Sequence, residues 1–228
     1  MKAFDSSRRG LTDGAYDHIK QKLFESQYLP GEWLPIDQIA KELTVSRQPV
    51  MDGIKRLAQD GFVVIVPQVG CQVRSYGSEE IGDFYRLFAF GESLVTEMAT
   101  QRASHEDLIK LKVVSQQIGE LRNQNLSQKE LAPLYRSLNR VFHSELRRMA
   151  RSPSVTEVVE RMGDRSDFFV ATSGRPLFGE ALNDAHEEHE VILQAMGRRD
   201  SAGAALAVKQ HIEATNRRLQ KFLSSTPP

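Results

Sequence analysis

The chain holds one cysteine, Cys71, in 228 residues, which excludes an intrachain disulfide. A cysteine in a half-buried strand is more often inert than redox-active, and the sequence leaves the redox role of Cys71 open. No apolar run approaches the roughly 20 residues of a membrane span. The opening MKAFDSSRRG has no apolar signal core, so the expectation is a cytoplasmic protein with no membrane partner. Net charge is missing as well, with 30 Lys and Arg against 30 Asp and Glu. Residues 1–76 carry ten basic and nine acidic side chains, a net of +1, so any nucleic-acid footprint must come from local placement. No nucleophile motif, phosphate loop, internal repeat or low-complexity segment is visible. That leaves little for an enzyme, although Glu187 and Glu188 beside His189 offer a base for a metal-dependent one.

What is present begins at residues 29–75. Ile36, Ile39, Ala40 and Leu43 have the i, i+3, i+4, i+7 spacing of one helical face. Thr44 and Val45 form a turn, and Ser46 is read as the cap of a second helix reaching Asp60, with Val50, Ile54 and Leu57 inward. Gly61 ends it. Phe62–Val66 and Cys71–Ser75 read as short strands joined by PQVG. Helix, turn, helix and hairpin make a winged helix-turn-helix, whose second helix fits a major groove and whose hairpin tip reaches the backbone or minor groove. A preceding helix spans Leu11–Gln27, after a loose polar arm with Arg8 and Arg9, and Trp33 and Leu34 are expected to plug the core.

Arg47 and Gln48 occupy the first turn of the recognition helix, where Arg reads guanine and Gln reads adenine. Thr44 and Ser46 can donate to phosphate. Lys55 and Arg56 are better placed for phosphates, and Arg56 could equally pair with Asp52 at i, i+4. Gly53 inside the helix costs about 1 kcal/mol relative to Ala.

The run LPG, IAKELTVSRQPV, RL, DGFV and VPQVGCQV resembles the N-terminal domain of GntR-family transcriptional regulators over roughly residues 16–73. The resemblance implies DNA-binding roles for Thr44, Ser46, Arg47, Gln48, Lys55, Arg56, Gln68 and Gly70. Three positions that are often basic in the family are Asp37, Met51 and Val69 here, which implies fewer phosphate contacts and a shallower salt dependence.

From Ser78 the strand signals stop. Helices are expected at Ser78–Arg102, Ser104–Asn123, Leu131–Ala150, Ser152–Thr172, Glu180–Met196 and Asp200–Leu223. Pro133 falls near the start of the third, Ser152-Pro153 gives cap and first position of the fourth, and residues 173–179 form a loop. SSTPP should fray. The fold class is therefore mainly α: a winged helix-turn-helix domain at 1–76, then an all-α antiparallel six-helix bundle at 77–228, large enough for a small-molecule cavity.

Asn139-Arg-Val-Phe142-His143, Glu188-His189, Met196 to Asp200 and His211-Ile212 resemble the FCD effector-binding and dimerisation domain of the FadR-like branch, and six helices resemble its VanR-type subgroup. The resemblance implies a divalent transition metal, zinc or nickel, on Asn139, His143, His189 and His211, coordinating a carboxylate effector. Asn139 and His143 share a helix face at i, i+4, and three imidazoles with one oxygen suit such an ion. Asn139 stands where the family often has Asp, which weakens the metal site and leaves it more positive. His186 is out of the ligand register and is read as a surface residue. Phe88 stands at an effector-pocket position where the family often has Arg, implying a more apolar pocket. It is equally read, with Phe84 and Phe90, as a core or interface residue. The expected protein is a homodimeric repressor on a short palindromic operator of double-stranded DNA, its operator affinity controlled by an organic acid. A metal-free regulator of an apolar or acyl ligand, a sensor of the ion itself and a metal-dependent enzyme remain as alternatives.

Overall fold

The computed structural model describes residues 8–223. The chain divides into two compact units, 1–76 and 77–228. Most of the expected N-terminal arm and the SSTPP terminus lie outside the described residues. Arg8 and Arg9, expected on that arm, instead begin the first helix.

In the first unit α1 spans Arg8–Phe24, α2 Ile36–Glu42 and α3 Arg47–Gln59, followed by β1, Val63–Val66, and β2, Gly70–Val73. The strands pair antiparallel with Val63 opposite Val73 and Val66 opposite Gly70. The core collects Ala15, Ile19 and Leu23 from α1, Ile39 from α2, and Val50, Ile54 and Leu57 from α3. These are the positions that helical periodicity places on one face. Phe62 closes the core edge-on to Phe24, with centroids 5.6 Å apart.

Gly53 explains its own cost. A Cβ there would stand 2.9 Å from the Tyr16 backbone nitrogen and 3.3 Å from Ala15, so the glycine permits α1 and α3 to approach backbone to backbone. Thr44 takes φ 55° in the turn before α3, and Gly61 takes φ 84° after it. Two expectations need correction. Ser46 sits at the N-cap position with extended backbone, but its side chain makes no capping hydrogen bond. Leu34 is buried, whereas Trp33 is 50% exposed. Trp33 bridges to Gln72 and lies over Gly70, where a Cβ would meet its ring at 3.3 Å. The aromatic ring therefore covers the base of the wing instead of filling the core.

The second unit comprises α4, Ser78–Arg102; α5, His105–Glu120; α6, Gln128–Met149; α7, Pro153–Ala171; α8, Leu177–Glu180; α9, Leu182–Gly197; and α10, Ser201–Leu223, with a 3-10 turn at Leu121–Asn123. Helix α10 packs along α4 and α9, α6 against α4, α5 and α8, and α7 against α4 and α6. α6 starts three residues earlier than expected because Ser127 and Glu130 form a reciprocal capping box. Pro133 consequently falls in the second turn. The second half of the expected loop at 173–179 opens the single-turn α8. The guanidinium of Arg199 donates to the carbonyls of Thr100, 2.9 Å, and Ala103, 2.7 Å, satisfying acceptors that the end of α4 leaves open. No helix among the described residues is long and apolar enough to cross a membrane.

Candidate metal centre and nucleic-acid interface

α4, α6, α9 and α10 converge on a polar point in an apolar interior. The buried stripe of α4 runs Tyr85, Phe88, Glu92, Val95, Ala99, so Glu92 enters the core as the one acid at apolar spacing. α6 contributes His143, α9 His189 and α10 His211. These histidines are 5%, 0% and 3% exposed, and one ring nitrogen from each lies within 4.8 Å of the other two.

Carboxylates orient two of the rings. Nδ1 of His143 is 3.3 Å from Glu92 Oε2, and Nδ1 of His211 is 2.7 Å from Glu188 Oε2. Each contact leaves Nε2 free to ligate, the arrangement that carboxylate partners impose on metal-binding imidazoles. Glu188 is itself held by Arg218 at 2.6 Å. Both nitrogens of His189 are buried without a hydrogen-bond partner, and its ring stacks on Phe142 at 4.1 Å. Burial, then the neighbouring imidazoles of His211 and His143, push its pKa well below the ordinary value. Burial also lowers His211 against the opposing pull of Glu188. Neutral imidazole is the form that binds a metal. Burial opposes ionisation of Glu92, yet Arg147, His143 and His211 hold its carboxyl below the usual range. A wholly buried imidazole with two orphaned nitrogens, flanked by two rings fixed by carboxylates, fits a nitrogen-preferring divalent ion.

A cavity of about 390 Å³ opens beside this cluster, lined among others by Phe88, Asn139, His143 and His211. Asn139 is on its wall, and its Oδ1 accepts a hydrogen bond from Tyr135 at 3.1 Å. Phe88 is 3% exposed and stacks on Phe84 at 5.9 Å, so it is both a core residue and part of the wall. Phe90 points outward, 62% exposed. The absence of an arginine at position 88 does not leave an apolar pocket without cations, because Arg140, Arg147 and Arg218 line it. His186 is not on the surface. It is buried against Gly119, whose Cβ would come 3.0 Å from its Nε2, and burial lowers its pKa. The family resemblance pointed to the histidines, with Asn139 and His143 sharing one helix face. Glu92 could have been found as a carboxylate at a core position of an otherwise apolar stripe, whereas nothing local distinguishes Arg147 from the arginine that follows it.

In the first unit Thr44, Ser46, Arg47 and Gln48 form one exposed patch at the start of α3. Arg47, Met51 and Lys55 follow one face at successive i, i+4 steps. Gln68, at φ 62°, is exposed at the wing tip, with Gly70 at the start of β2. The cations have acidic partners. Arg47 reaches Asp37 at 3.1 Å and Lys55 reaches Asp52 at 3.0 Å. Asp52 also accepts from Gln48 at 2.9 Å. Arg56 does not pair with Asp52. It pairs with Asp13 and stacks over Tyr16 at 4.4 Å, which turns it toward α1. Cys71 is buried, and burial pushes its thiol up to about 11, so it is no thiolate near neutral pH.

Comparison with known proteins agrees with both units. The FCD domain model matches residues 84–214, and the model of bacterial regulatory proteins of the gntR family matches residues 11–73. The chain belongs to the GntR family, FadR-like branch, with a C-terminal FCD domain. This GntR-family chain is 26% identical over 190 residues to the Nta operon transcriptional regulator of Aminobacter aminovorans, covering 82% of this chain and 83% of that protein. It is 22% identical over 199 residues to the HTH-type transcriptional repressor GlaR of Escherichia coli K12, covering 86% and 90%. Its fold is similar to that of E. coli McbR/YncC, with a TM-score of 0.75 at 18% identity over 92% of this chain and 97% of that one. This GntR-family protein is a DNA-binding transcriptional regulator.

Proposed function

We propose that the regulator acts as a homodimeric repressor whose operator affinity is set by an organic acid bound at a divalent metal, zinc or nickel, in the 77–228 unit. Residues 1–76 engage DNA, with Arg47 and Gln48 at base edges, Thr44, Ser46, Lys55 and Arg56 at phosphates, and Gln68 and Gly70 at the wing. Two copies related by a two-fold axis match a short palindrome. The repressor name of GlaR supports the sign of regulation, and the six long helices support the VanR-type subgroup, with single-turn α8 outside that count.

The observation that carries the effector reading is the triad: three imidazoles from three helices within 4.8 Å, one of them with both nitrogens unpartnered. His143, His189 and His211 hold the ion, and Asn139 supplies an amide oxygen at the cavity wall. The bound ion offers a Lewis-acidic point for a carboxylate. Glu92 and Glu188 fix the imidazole orientations, and Phe142 stacks on the His189 ring. The acid changes DNA affinity by binding one arrangement of the molecule better than another, since an equal affinity for both would shift nothing.

Elemental analysis of wild type beside His143→Ala tests this. About one metal per chain, lost in the variant, is expected. No metal after reconstitution with zinc, nickel and manganese would falsify the metal reading and direct attention to an apolar ligand beside Phe88.

A further inference from the structure

Three arginines line the cavity beside the histidines, and two are already engaged. Arg140 is bound to Asp164 at 2.8 Å and Asp167 at 2.9 Å. Arg218 is bound to Glu188 at 2.6 Å, with Asp184 at 3.7 Å. Arg147 is different. Its side chain is only 12% exposed, and its one ion-pair contact among the described residues is Glu92 Oε1, at 3.6 Å from Nη1. That separation is beyond hydrogen-bond length, and Glu92 Oε1 accepts no hydrogen bond among the described residues. The Nε of Arg147 is buried and has no acceptor.

A guanidinium carries five donors in a fixed fork that matches a carboxylate two bonds at a time. Burying the Nε–H of that fork with no acceptor is costly unless something supplies one. Room for it is built into the opposite wall. The guanidinium lies against Gly163 of α7, where a Cβ would stand 3.2 Å from Nη2 and 3.3 Å from Nη1. Arg147 is also one turn beyond His143 on α6, at i, i+4, so the two groups share a helix face about 6 Å apart along the axis.

We propose that Arg147 is the second anchor of the cavity's ligand, and that the ligand is a small dicarboxylate, held at one end by the histidine site and at the other by this guanidinium. The proposal rests on the metal reading for its first end and on Arg147 for its second. The second carboxylate supplies the acceptors that Arg147 lacks and draws its fork away from Glu92.

Calorimetric titration of zinc-loaded full-length protein with acetate, malonate and succinate tests this in wild type, Arg147→Met and Arg147→Lys. Zinc content is measured on the same samples. Wild type is expected to bind at least one dicarboxylate about 10-fold or more tightly than acetate, the scale of one charge-assisted hydrogen-bonded pair. Arg147→Met should lose that preference. Arg147→Lys keeps the charge beside Glu92 but not the fork, so it should retain the fold and a reduced preference, and it carries the test if the methionine variant does not fold. Equal binding of acetate and dicarboxylates by wild type, or an undiminished preference in the folded variants, would overturn the role of Arg147. The two readings separate cleanly. A zinc-free wild type that still prefers dicarboxylates sinks the metal reading and keeps Arg147, whereas a zinc-loaded wild type without the preference sinks Arg147 alone.

Discussion

The two units hold charge in opposite ways. On α3 the pair of Arg47 and Asp37 is open to water, with side chains 61% and 73% exposed. Such pairs contribute about 0–1 kcal/mol, so Arg47 can leave Asp37 for DNA at small cost. In the helical unit Glu92 is fully buried and Arg147 nearly so, beside three histidines with little or no solvent contact. Interior polar groups without partners cost about 1–3 kcal/mol each, and more when charged. The outer set is therefore adjustable, while the inner set holds unmet hydrogen-bonding capacity that the proposed metal and anion would complete.

Changing His189 gives the sharpest break in that contrast. His189→Phe should abolish metal binding, an all-or-none loss read by elemental analysis. The metal-free variant should nevertheless melt higher than metal-free wild type, by the equivalent of about 1–3 kcal/mol, because it removes two orphaned nitrogens. A lower melting temperature would mean that the imidazole is satisfied without a metal. Gly53→Ala asks the same question of the first unit, where packing and not charge decides. Alanine recovers about 1 kcal/mol of helix propensity, but its Cβ would face a backbone nitrogen at 2.9 Å that cannot move alone. Overpacking of about 1–3 kcal/mol should win, and thermal unfolding would reveal it as a net loss.

Smaller effects probe the exposed charges. Arg47→Ala should weaken binding to a genomic operator fragment by about 1–3 kcal/mol, the worth of a bidentate base contact. Unchanged binding would remove Arg47 from the interface. Asp37→Ala should have the least effect, tightening binding by no more than about 1 kcal/mol, with the gain fading as salt rises. A loss of affinity would mean that Asp37 positions Arg47 instead of restraining it.

Much of the fold was legible because its signals are local. The α3 face of Val50, Ile54 and Leu57, the stop at Gly61 and the hairpin after it all act within a few residues. The start of α6 was legible too, in Ser127 and Glu130, but Pro133 drew the expected start downstream. α8 is a single turn, too short to show any period. His143, His189 and His211 could be grouped by resemblance, whereas Glu92, visible in the sequence only as an acid in an apolar stripe, is tied to His143 only by the fold, across 51 residues. His186 looked like a surface residue because its own helix says nothing about Gly119, whose missing side chain makes the space that buries it.

The sequence by itself determined where most helices and strands form, because those signals act within one or two helical turns, while its family resemblance singled out three histidines on separate helices. Only the tertiary structure decided which charges are paired and which are not: Arg47 with Asp37, Arg56 with Asp13, Arg218 with Glu188, and Arg147 without a hydrogen-bonded partner among the described residues. The physical reason is that charge pairing depends on the approach of distant helices, and that approach is set by the packing of the apolar faces.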